Sequence, residues 1–68
     1  MNILRDKRAE KGLTLDEVAK AVNTNVGNLS RIERGAQFPS PPLAFRLARF
    51  YGIELADVFA SADHAQAA

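Results

Sequence analysis

With 68 residues, 47% apolar and 25% charged, the chain has room for one domain and is too apolar to remain disordered. It contains no cysteine, which excludes a disulfide framework and a thiolate metal site and leaves stability to helix packing, aided by dimerisation. The net charge of +1 is a weak argument for a nucleic-acid partner by itself, but its distribution is uneven. All 9 Lys and Arg lie within residues 1–50 beside five acids, and the remaining three acids (Glu54, Asp57, Asp63) stand alone after them. A basic body with an acidic end suits phosphate contact on one side only.

The punctuation of the chain predicts five short helices and no strand. The first runs from about Asn2 to Lys11 through strong helix formers and stops at Gly12, a residue suited to the left-handed position after a helix. Thr14-Leu15-Asp16-Glu17 reads as a capping box, in which Thr14 accepts from the third helical amide and Glu17 reaches back to the cap amide. Leu15, Val18, Ala19 and Val22 then recur at helical spacing and define a second helix to Val22. Asn23-Thr24-Asn25 is a break of turn-forming residues. Asn25 caps a third helix from Val26 to about Arg34, with Leu29 and Ile32 as its apolar stripe and Gly35 as its stop. Two helices joined by so short a turn form a helix-turn-helix.

Ala36 to Pro39 is a loop, and Ser40 caps a fourth helix whose first turn tolerates Pro41 and Pro42, because those amides have no intrahelical partner. Ala44, Leu47, Ala48 and Tyr51 line one face, and Gly52 ends it. Arg46 and Arg49 are assigned to the outer face, toward solvent or a partner. The fifth helix is expected from Glu54 to Ala60, with Leu55, Val58 and Phe59 inward. The domain is thus residues 1–60, and residues 61–68 are read as a frayed helix end or disordered tail. The apolar runs fall far short of the roughly 20 residues that cross a bilayer, and Met1 to Lys7 lacks the apolar stretch of a signal peptide, so a cytoplasmic protein is expected.

Gly12-Leu13-Thr14, Glu17-Val18-Ala19, Leu29-Ser30-Arg31-Ile32-Glu33-Arg34-Gly35, Pro39-Ser40, Leu47-Ala48 and Tyr51-Gly52-Ile53 with Leu55 and Phe59 resemble the Cro/C1-type (Xre-type) helix-turn-helix family. The resemblance covers about Ile3 to Phe59. It implies an all-α, lambda-repressor-like bundle of five helices that regulates transcription, with the third helix in the major groove of double-stranded DNA and the second laid across the backbone. It further implies a structural ion pair between Arg8 and Glu33, and a homodimer on a two-fold symmetric operator. Two positions depart from the family pattern. Leu15 stands where a glutamine usually opens the second helix, which removes a contact to phosphate or an outer base. Lys7 stands where the first helix usually has leucine, so its aliphatic stem must cover the core edge.

Because Leu29 and Ile32 point inward, the residues able to reach base edges are Val26, Gly27, Asn28 and Arg31. Arg31 has a fork able to bond guanine O6 and N7 together, Asn28 suits adenine or a phosphate, and Val26 suits a thymine methyl. Gly27 costs helix stability and either admits the backbone close to DNA or has no role. Phosphate contacts are expected from Thr14, Asn25, Arg34, Gln37 and Ser40, with Lys20 less well placed. Phe50, left partly outside the core face of the fourth helix, and Phe45 are the candidates for the dimer interface, with the core rim as the alternative for Phe50. A protein-binding adapter of the same fold is the second reading, separable by its lack of salt-dependent retention on duplex DNA. An enzyme is disfavoured: the single histidine, His64, lies in the expected tail, and no nucleophile–base pair, phosphate loop, cofactor motif or metal cluster is evident.

Overall fold

The computed structural model describes residues 3–66, with side chains to residue 60. It contains five helices, α1 (Ile3–Lys11), α2 (Leu15–Ala21), α3 (Val26–Glu33), α4 (Pro41–Tyr51) and α5 (Leu55–Gln66), and no strand among the described residues. Asn2, expected to open the first helix, lies outside them.

Local chemistry sets the helix starts. At α2 the capping box is complete: the Glu17 amide donates to Thr14 Oγ1 at 3.1 Å and the Thr14 amide donates to Glu17 Oε1 at 2.8 Å. Asn25 Oδ1 accepts from the Asn28 amide at 2.7 Å to open α3, and Ser40 Oγ accepts from the Leu43 amide at 3.4 Å to open α4. The turn between α2 and α3 depends on Asn23, whose φ of 59° is left-handed. Asparagine tolerates that region better than most residues with a Cβ, and the turn closes as the Thr24 amide donates to Ala19 O at 2.8 Å. Gly52, at φ 67°, reverses the chain after α4 in the same way.

α5 extends to Gln66, six residues beyond the expected end at Ala60. The segment from 61 to 66 contains neither glycine nor proline, so nothing in its sequence stops the helix. Residues 67 and 68 of the expected tail lie outside the described residues.

Leu4, Val18, Val22, Leu29, Ile32, Leu43, Leu47 and Val58 form a core in which none is more than 3% exposed. Each such aliphatic side chain contributes about 1.5–3 kcal/mol by leaving water. α5 is the common support, packing against α1, α3 and α4, while α2 packs on α3. The result is a body of 29 × 21 × 20 Å that holds α3 by its inner stripe and leaves its other side open.

Arg8 on α1 and Glu33 at the end of α3 join this core electrostatically. Arg8 Nε donates to Glu33 Oε2 at 2.9 Å and Nη2 donates to Oε1 at 3.1 Å, a two-pronged pair. Arg8 Nη1 also donates to Leu13 O at 3.1 Å, tying the α1–α2 loop to the pair. The hydrogen bond to Glu33 pushes the Arg8 pKa further up against the opposing effect of burial. Lys7, half-buried and next to Arg8 in the chain, reaches Glu10 at 3.8 Å.

Candidate nucleic-acid interface

α3 presents a divided surface. Leu29 and Ile32 are fully buried and Glu33 is 6% exposed, so the orientation of the helix about its axis is fixed. Of the other residues of the helix, Val26, Gly27 and Arg31 are exposed, and Asn28 and Ser30 are half-buried. Periodicity alone requires this division once Leu29 and Ile32 face the core.

The polar side chains on the open side are joined rather than independent. Arg31 Nε donates to Gln37 Oε1 at 2.9 Å. Gln37 Nε2 donates to Asn28 Oδ1, and Asn28 Nδ2 donates to Thr24 Oγ1 at 2.9 Å. Gln37, from the loop after α3, thus lies against the helix beside two of the residues expected to reach base edges. Thr24 is an addition that sequence reasoning missed. Its only sequence signal is the four-residue spacing to Asn28, too common to be informative.

Gly27 lies in the first turn of α3. A Cβ at this position would stand 3.5 Å from Asn25 Oδ1 and 3.6 Å from Arg31 Nη1, ordinary contact distances. The protein itself therefore does not require glycine here. The same distances show that the Arg31 guanidinium extends back over the preceding turn, the direction in which long helical side chains lean.

The residues expected at phosphates are spread over three helix starts, one helix end and, at Gln37, the loop that follows it. Thr14, Asn25 and Ser40 are the caps of α2, α3 and α4, each with its side-chain oxygen engaged by a backbone amide. Arg34, the exposed C-cap of α3, donates from Nε to Ser30 O at 3.3 Å. A cleft lined by Arg5, Asp6, Leu15, Ser30 and Arg34 reaches down to the Arg8–Glu33 pair. Leu15, at the position where the family usually carries glutamine, is half-buried and packs against the core.

Arg46 and Arg49 are both exposed on α4, and Arg46 also reaches α2, where its Nε donates to Val22 O at 2.7 Å. It supplies one of the donors that a helix C-terminus lacks. Of the two phenylalanines expected at an interface, Phe45 is 57% exposed, whereas Phe50 is half-buried with its ring edge-on to Tyr51 at 5.1 Å. Phe38, 41% exposed, leans on Phe59 with ring centroids 6.5 Å apart.

No group of three His, Cys, Asp or Glu among the described residues is arranged to hold a metal ion. No helix among them is long and apolar enough to cross a membrane.

Two short helices meeting at a tight turn, the second clamped by its apolar stripe and open on its outer side, define a helix-turn-helix domain. The chain belongs to the helix-turn-helix family, whose model matches residues 4–58. It is 36% identical over 58 residues to an uncharacterized helix-turn-helix-type transcriptional regulator of Methanocaldococcus jannaschii, covering 85% of this chain and 88% of that one. It is 30% identical over 60 residues to the cryptic phage CTXphi transcriptional repressor RstR of Vibrio cholerae, covering 88% of this chain and 54% of the repressor. The regulator DdrOP3 of Deinococcus deserti is 42% identical over 55 residues, 81% of this chain and 43% of the relative. The chain therefore spans about half the length of the last two relatives and most of the first. No solved structure matches it.

Proposed function

We propose that this protein is a non-enzymatic, sequence-specific regulator of transcription that binds duplex DNA with α3 in the major groove. The relatives support the class: they are named as transcriptional regulators, one of them a phage repressor. The observation that carries the reading is the open face of α3, where Val26, Gly27, Asn28 and Arg31 stand outward on a helix that Leu29, Ile32 and Glu33 hold in place. The major groove admits one helix and displays a donor and acceptor pattern that distinguishes all four base pairs. Arg31 matches guanine, Asn28 matches adenine, and Val26 meets a thymine methyl.

Phosphates are held by groups that flank this helix. The amide-rich starts of α2, α3 and α4 at Thr14, Asn25 and Ser40 attract anions, and Arg34 and Gln37 stand at the far end of α3. The protein acts as a homodimer on a two-fold symmetric operator, with half-sites about 34–36 Å apart. A body 29 Å in its longest direction fits one half-site and leaves room for its copy beside it. The domain comprises residues 1–60 and works in the cytoplasm, where its DNA lies.

Selection of bound duplexes from a random pool, followed by salt titration of the enriched sequences, tests the reading. The expected result is a two-fold symmetric consensus whose affinity falls steeply with salt as counterions are released. A folded, dimeric protein that enriches no sequence and is not retained on duplex DNA would instead be a protein-binding adapter built on this fold.

A further inference from the structure

Gln37 belongs to the loop between α3 and α4, yet its side chain bridges Arg31 and Asn28. Its Oε1 accepts from Arg31 Nε at 2.9 Å while its Nε2 donates to Asn28 Oδ1, and Asn28 passes the chain on to Thr24 Oγ1 at 2.9 Å. The network has a definite direction. Engaging Arg31 through Nε leaves both terminal nitrogens of the guanidinium, a pair that matches guanine O6 and N7. Engaging Asn28 through one Nδ2 hydrogen and one Oδ1 lone pair leaves one donor and one acceptor, the set that adenine N7 and N6 require. An exposed arginine that must be ordered only on contact loses rotamer freedom in binding, and a restraint already present in the free protein reduces that loss.

We infer that Gln37 is a positioning residue for base readout: it orients Arg31 and Asn28 in the free protein so that their remaining groups meet the bases. The inference rests on the reading of α3 as the helix in the major groove. It differs from a simple phosphate contact, which would strengthen binding to every sequence alike.

The test is duplex selection with the wild-type chain, Arg31→Ala, Gln37→Leu and the double variant, each checked for helix content and thermal unfolding. Gln37→Leu is expected to keep its fold, and whatever it loses as a phosphate contact falls equally on every duplex, unselected ones included. Its discrimination at the base pair that Arg31 reads is expected to fall roughly tenfold, within the range that a bidentate contact supplies. Adding Gln37→Leu to Arg31→Ala should change that base pair no further, since the glutamine acts through the arginine. Gln37→Glu, which keeps an acceptor for Arg31 Nε, should restore the preference there while its charge weakens binding to all duplexes.

An equal loss across all sequences with base preference intact would make Gln37 a phosphate contact and overturn the inference. Asn28→Ala, run beside these, marks the base pair that Asn28 reads, and a loss at a base pair that neither Arg31→Ala nor Asn28→Ala alters would make Gln37 a direct reader, with the same consequence. If Arg31→Ala alone alters no preference, the assignment of α3 itself falls and the positioning role with it. That failure is recognised from the single variant, before Gln37 is considered.

Discussion

At the scale of single residues, the Arg8–Glu33 pair shows how unequal two halves of one interaction can be. The Glu33 side chain is 5% exposed, whereas Arg8 keeps 20% of its surface and borders the cleft beside α3. Removing arginine strands a nearly buried carboxylate without its partner, and it also frees Leu13 O. Removing glutamate leaves a guanidinium that can turn toward solvent. Arg8→Ala should therefore cost about 3–5 kcal/mol and Glu33→Ala clearly less, as measured by chemical denaturation. Equal losses would mean that the arginine is as trapped as its partner. Tyr51 makes a second prediction. Its hydroxyl is buried without a hydrogen-bond partner among the described residues, and burial, reinforced by the negative charge of Glu33, pushes its pKa up to about 12. Tyr51→Phe should thus be neutral or stabilising by about 1 kcal/mol, because the unpaired hydroxyl is costly in place. The folded state holds the phenol proton more tightly than the unfolded chain does. Wild-type stability should therefore be complete below about pH 10 and fall above it by at most about 1.4 kcal/mol per pH unit toward pH 12. The Phe variant should lack that component, and parallel curves for the two proteins would argue against it.

At the scale of elements, helix boundaries were legible where side chains and backbone solve a local problem. The capping box at Thr14 and Glu17, the caps at Asn25 and Ser40, and the stop at Gly52 each involve residues within a few positions of one another. Val22 and Arg34, expected as the last helical residues of α2 and α3, are instead their C-caps, a one-residue difference that composition does not resolve. The end of α5 was missed because no stop signal marks it. The same distinction applies to the candidate interface. Periodicity placed Asn28 and Arg31 on the open side of α3, but the Gln37 bridge depends on the path of a loop, and the Arg46 bond to Val22 spans 24 positions. Gly27 lies between these cases: sequence marked it as costly, and the structure shows that the protein itself gives it no steric reason. Gly27→Ala should accordingly stabilise the fold by up to about 1 kcal/mol while weakening operator binding, where the added methyl would face the groove. Denaturation and operator affinity should move in opposite directions. Unchanged operator affinity would remove Gly27 from the contact surface.

At the scale of the whole molecule, a domain of 68 residues with a net charge of +1 has little area and little charge with which to hold DNA. Doubling both through a second copy is the most direct remedy, and the two phenylalanines expected at the interface differ in how cleanly they test it. Phe50 is half-buried and packs against the core beside Tyr51, so a charge there would damage the fold as well as any interface. Phe45 is 57% exposed on α4, and replacing it with glutamate should leave monomer stability nearly unchanged. If Phe45 lies between two copies, Phe45→Glu places a charge in an apolar contact and opposes a like charge across the two-fold axis. The variant should then sediment as a monomer at concentrations where the wild type is dimeric. It should lose affinity for a two-fold symmetric operator by tenfold or more while binding a single half-site as the wild type does, about 1.4 kcal/mol for each factor of ten. The half-site measurement separates assembly from recognition, because α3 and its flanking groups are untouched by the substitution. A variant that remains dimeric and binds both DNAs normally would place the interface on another face of the bundle.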